Sequence, residues 1–172
     1  MTLVREQLAK AQESAVHLEM RDAYMLDDPE FIRWQAGHRE DPARRADWWN
    51  SWHDATSTAA ERGVALRRAR VVSEPISPYV RYEYDITFMN EAAGEAVRWL
   101  PRHRAARLLL PGADYWLFDG TTVLFNHFTG KGQWREPGGM ELVTDLDAAA
   151  GCAEAFEAVW RLATPHAEYR PV

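Results

Sequence analysis

Asn126-His127 closes one apolar run and Asp114 opens the run before it, so that a hairpin between them would set a histidine near a carboxylate. A histidine held by an acid is the arrangement of a general base. On that pattern His127 is the candidate base, Asp114 or Asp119 the carboxylate that orients it, and an arginine the aid. Asn126 and His127 end a predicted central strand, where α/β sheets place ligand sites beyond the strand termini; Asp114 and Trp116 share that crevice if the hairpin forms. Arg67, Arg68 and Arg70 fall in one β-rich run, so at least one guanidinium must approach a covered face. A buried guanidinium needs a carboxylate, and Glu19 and Glu74 are the candidate partners. A structural ion pair is favoured over a ligand site for these residues, with Glu19 and Arg70 the two that a pocket would use.

Other chemistries find no support. Gly130-Lys131-Gly132 lacks the upstream glycine and following Ser or Thr of a phosphate loop, and no dinucleotide fingerprint is present. The six histidines show no HExxH or CxxC spacing, so neither a metal nor a cofactor is expected. Cys152 is the single cysteine, on an apolar helical stripe, and reads as a core residue in a reducing compartment. A net charge of −6 gives no help toward nucleic acid or an anionic membrane. With no apolar leader and no span-length stretch, the expected location is cytoplasmic.

These residues must be positioned by elements that the spacing predicts. Length fits one domain over residues 1–172. Val4, Leu8, Ala11 and Ala15 form a helical stripe that runs into a strand over Ala15 to Met20. Residues 27–46, polar, with Pro29, Pro42 and one short helix carrying Phe31 and Trp34, form a candidate mobile flap. Trp48, Trp52, Ala55 and Ala59 mark a helix closed by Gly63, while Trp49 falls off that stripe and is a candidate interface anchor. Val64 to Val72 is a strand, Ser77-Pro78 caps a helix, and Val97 to Leu100 is a strand. Asp119-Gly120 supplies the positive φ angles of a tight hairpin between Tyr115 to Phe118 and Val123 to Phe125. Both arms are apolar on successive residues, as central strands covered on two faces are. A last helix carries Cys152, Phe156, Val159 and Trp160, and His166 and Tyr169 read as a packed tail. The expected fold is α/β in the α+β sense, a central mixed sheet with helices on both faces.

The strip Gly112 to Trp134 resembles the catalytic core of the phospholipase D superfamily, in which a strand bearing His-x-Lys runs to an Asp-Gly turn and the return strand ends at Gly-Ser-x-Asn. The turn is kept as Asp119-Gly120, but Gly112 stands at the histidine position, Asp114 at the lysine, and Asn126, His127 and Thr129 at Gly, Ser and Asn. The resemblance implies a phospholipase-D-like half-domain, and a homodimer. Phosphoryl transfer needs the histidine and a cationic lysine, and an aspartate there repels phosphate.

Nearly the whole chain also resembles an uncharacterised actinobacterial domain-of-unknown-function family whose members are often encoded beside helix-turn-helix regulators. The residues that carry this are Ser14 to Asp22, Arg67 to Pro75, Arg81-Tyr82-Glu83, Val97 to Pro101, Asp114 to Asp119, Phe125 to Phe128 and His166 to Tyr169. It implies a regulator protein as partner. The expectation is a non-catalytic domain that senses a small molecule or docks a transcriptional regulator, with Asp114, Trp116, Asn126, His127, Glu19 and Arg70 around the crevice. The alternatives are an enzyme with His127 as base, such as a hydrolase, and a protein-interaction module working through Trp49 and the flap.

Overall fold

Apolar residues on alternate positions of Ser14 to Glu19 build the strand on which the sheet is centred. In the computed structural model, which describes residues 2–172, α1 (Thr2–Lys10) leads into β1 (Ser14–Glu19). The 27–46 segment follows with α2 (Pro29–Gln35), whose first N–H groups are capped by the Asp28 carboxylate. Next come α3 (Arg45–Trp48), α4 (Ser51–Glu61), β2 (Ala65–Val72), α5 (Pro78–Ala92) and β3 (Ala96–Pro101). The hairpin β4 (Asp114–Phe118) and β5 (Thr122–Asn126), then β6 (Met140–Val143), α6 (Leu146–Leu162) and β7 (Thr164–Pro165), complete the chain.

The seven strands form one mixed sheet in the order β6-β5-β4-β1-β2-β3-β7. β1, β2 and β3 run parallel, and the β4–β5 hairpin joins β1 antiparallel. Asp119 and Gly120 take positive φ, 49° and 66°, at its tip. The hairpin therefore lies inside the sheet, between β1 and β6, and every residue of β4 is buried.

Strand alternation sorts the side chains into two layers. Val16, Leu18, Ala69, Val71, Leu117 and Val123 meet Phe156 and Val159 of α6 on one face. On the other, Ala15, Leu66, Phe118 and Leu124 pack under α1 and α4, and Val72, Val97 and Trp99 under α5 and Tyr169. Each fully buried Val, Leu or Phe side chain among them contributes about 1.5–3 kcal/mol. Between those two apolar clusters the second face carries polar residues.

The helix expected through Trp48, Trp52 and Ala59 is in fact two. Asn50 accepts the Trp52 N–H at 2.9 Å while its own N–H donates to His53 Nδ1 at 3.1 Å, a reciprocal cap that starts a new helix at Ser51. Trp48 thus belongs to α3, which turns it beside Phe88 of α5.

Candidate functional site

Register decides which polar residues meet. His17 lies opposite Arg68 on one side and Trp116 on the other, Glu19 opposite Arg70, and Asp114 opposite Asn126. All seven share the face away from α6, near the C-terminal ends of β1 and β2.

Glu19 sits at the centre of an ionic network. One of its carboxylate oxygens accepts from Arg68 and the other from Arg70. Arg68 Nε also donates to Glu95 at 3.0 Å, and Arg70 reaches Thr87 Oγ1 at 2.8 Å and Glu83 at 3.4 Å. Burial works to raise the Glu19 carboxyl, but the two guanidiniums outweigh it and hold it well below the usual range. Glu83 has the opposite balance: burial dominates its Arg70 contact and pushes it up to about 8. His17 stacks on Trp116 with centroids 4.1 Å apart, and its Nδ1 stands 3.2 Å from Glu19 without hydrogen-bond alignment. Burial lowers His17 to about 3, so its imidazole is neutral.

Asp114 is held differently. Its carboxylate accepts from the Tyr24 hydroxyl and from the Met20 N–H at 2.9 Å, and among the described residues it has no ion-pair partner. Burial raises it to about 6 against the pull of the Tyr24 hydrogen bond. Its cross-strand neighbour Asn126 is 6% exposed, and among the described residues its Oδ1 has no partner. A buried acceptor left unmet costs about 1–3 kcal/mol.

Above these residues lies a cavity of about 600 Å³, within the range of small-molecule sites. Tyr24, Phe128 and Trp134 form one wall, with centroids 5.1 Å apart for the first pair and 4.5 Å for the second. Tyr79, Tyr82 and Glu83 of α5 form another, and Trp34 with neighbouring residues of the 27–46 segment covers the top.

Of the residues expected at the crevice, Asp114, Trp116, Asn126, Glu19 and Arg70 all line this cavity. His127 does not. One position past Asn126, it turns to the opposite side, where Nε2 lies 2.8 Å from Glu141 Oε2. Asp119, at the far end of the hairpin, accepts the N–H groups of Gln12, Glu13 and Ser14 instead. Glu74 bonds the Tyr169 hydroxyl rather than an arginine of β2. Trp49 is half-buried, lies under Arg45 at 3.5 Å and donates to Asp54, so it is no free anchor. His17, Tyr24, Glu83 and Glu95 were missed. For His17 the signal was there: a titratable residue two positions before Glu19 on an apolar strand shares its face. Among the described residues no three His, Cys, Asp or Glu side chains converge as a metal site requires. No helix there is long and apolar enough to cross a membrane.

A family model described as "Domain of unknown function (DUF6879)" matches residues 3–171. The fold is similar to that of Nuc, a phospholipase D family member from Salmonella typhimurium, at 13% identity and TM-score 0.53, over 98% of this chain and 90% of that one. It is similar to NucT from Helicobacter pylori at 10% identity and TM-score 0.51, over 95% and 89%. TrmBL2, an archaeal chromatin protein, aligns at 16% identity and TM-score 0.49 over 94% of this chain, which spans 48% of that protein. These similarities show a phospholipase-D-like fold. No curated protein matches the chain in sequence.

Proposed function

The chain belongs to the family described as Domain of unknown function (DUF6879), and we propose that it is a ligand-sensing domain in which a phospholipase-D-like crevice has exchanged phosphoryl chemistry for binding. The observation that carries this is the pairing of a buried carboxylate, Asp114, with the unmet Oδ1 of Asn126 on the floor of an aromatic-walled cavity. An acid where the phospholipase D resemblance implies a lysine opposes a phosphate. The two floor arginines are committed to Glu19, and neither Lys10 nor Lys131 lines the cavity. His17 is neutral there but has no cation free to stabilise a phosphorylated intermediate.

In this reading the 27–46 segment opens to admit the ligand, and the closed, liganded form is what a helix-turn-helix regulator would recognise. A thermal-shift screen of small charged and neutral molecules tests the binding role, and hydrolysis of bis(p-nitrophenyl) phosphate tests for retained catalysis. The expected result is a midpoint raised by a binder, as ligands of the native state require, with no turnover. Phosphodiester turnover lost in His17→Ala would overturn the reading in favour of an enzyme.

A further inference from the structure

The class of ligand can be read from which polar groups of the cavity are already satisfied, an argument that rests on the binding role just given. The lining holds six carboxylates and the protonated Glu83 against four guanidiniums and no lysine. All four guanidiniums are engaged: Arg68 and Arg70 with Glu19, Arg33 with Glu30, and Arg39 with Asp85. An anionic ligand at the floor would have to share a guanidinium already paired with Glu19 and would stand beside that buried like charge. The unmet capacity is of the other sign. Asp114 is a carboxylate, 3% exposed, with hydrogen bonds but no ion-pair partner among the described residues, and Asn126 Oδ1 has none of either kind. The two are direct partners across the β4–β5 ladder, and both residues line the same cavity. Adjacent acceptors are satisfied by a group with several N–H donors, most strongly by one carrying positive charge.

The wall supports the same sign. The rings of Tyr24, Phe128 and Trp134 line the space beside those acceptors, and ring faces attract cations. Arg21 already lies over the Phe128 ring, 5.4 Å from its centroid.

We propose that the cavity binds an organic cation, an amine or amidine joined to an aromatic or apolar body, whose N–H groups donate to Asp114 and Asn126 Oδ1 and whose body rests on Phe128 and Trp134. The test is calorimetric titration of the full chain with three probes of one shape: phenethylammonium, 2-phenylethanol and 3-phenylpropionate. Only the ammonium is expected to bind, and Asp114→Asn, which keeps the size and accepts the Met20 N–H through its one oxygen while its amide N–H donates to the Tyr24 hydroxyl, is expected to weaken it by about tenfold or more. Trp134→Ala, at a half-buried position outside the named strands, is expected to weaken it by about fivefold with an unchanged thermal midpoint, and decides the matter if Asp114→Asn does not fold. Equal affinity in the variant that is read would overturn the proposal. Preferred binding of the alcohol or the carboxylate would overturn the cation inference while leaving a ligand-binding cavity. Binding of none of the three at millimolar concentration would overturn both.

Discussion

Asp114 and Asn126 face each other across the β4–β5 ladder, and the two meet different fates on the same floor: the carboxylate is tethered by Tyr24 and Met20, while the amide oxygen is left without a donor. A well-packed core does not leave a buried acceptor unmet without a reason. The cavity above supplies one.

Binding of a permanently charged probe should depend on pH through Asp114. Its surroundings are Tyr24 and Arg21 after β1, Glu19 on β1, Glu83 on α5 and Asn126 on β5. Burial holds the carboxyl at about 6. Below that value the group is protonated and loses the charge that attracts a cation. The affinity of phenethylguanidinium, which keeps both its charge and its N–H donors at every such pH, should therefore fall by up to about tenfold per pH unit as pH drops through this range. Calorimetry at a series of pH values measures it, with Asp114→Asn expected to flatten the profile.

Stability should also depend on pH, through two floor acids that act in opposite directions. Glu83 is pushed up to about 8 from an unfolded value of 4.5, so the folded state holds a proton that the unfolded chain has released, and stability declines as pH rises between those values. Glu19 is held below its unfolded value of 4.5, so its contribution is present above that pH and is lost as pH falls below it. The thermal midpoint should peak in mildly acidic buffer and decline on both sides, and Glu83→Gln should remove much of the alkaline slope.

Breaking the ionic network should be costly. Arg70→Met leaves Glu19 with one guanidinium and Glu83 with none, both buried. Loss of one partner of a buried pair destabilises by about 3–5 kcal/mol. Urea unfolding should show a loss of that order, and the double variant Glu19→Gln/Arg70→Met should recover part of it, because the stranded charge is then gone.

Asp119 is expected to act as a fastener rather than a reactive group. Its carboxylate accepts three backbone N–H groups at the α1–β1 junction, Gln12, Glu13 and Ser14, which together hold it below its usual range against the effect of burial. Asp119→Ala should lower stability by about 2 kcal/mol in urea unfolding and leave probe binding unchanged.

Much of this architecture was legible from local pattern. The Asp119-Gly120 hairpin, its interior position and the mixed sheet with helices on both faces followed from turn chemistry and from runs of successive apolar residues. What local pattern could not supply was the third layer of contacts. Glu83 and Glu95 reach Arg70 and Arg68 from α5 and from the start of β3's approach, and nothing in their neighbours' spacing points there. Tyr24 meets Asp114 across 90 positions. His127 was misplaced for a simpler reason: a period of two sends it to the face that Asn126 leaves. Asn50 split a helix whose apolar stripe continued through it, because the cap outweighs the periodicity.

The most direct measurement is a crystal structure of the protein with phenethylammonium. The account predicts the ligand nitrogen within about 3 Å of both an Asp114 carboxylate oxygen and Asn126 Oδ1, its ring against Phe128 and Trp134. A ligand seated elsewhere, or a cavity filled by the protein's own side chains with Asn126 Oδ1 bonded to one of them, would contradict it.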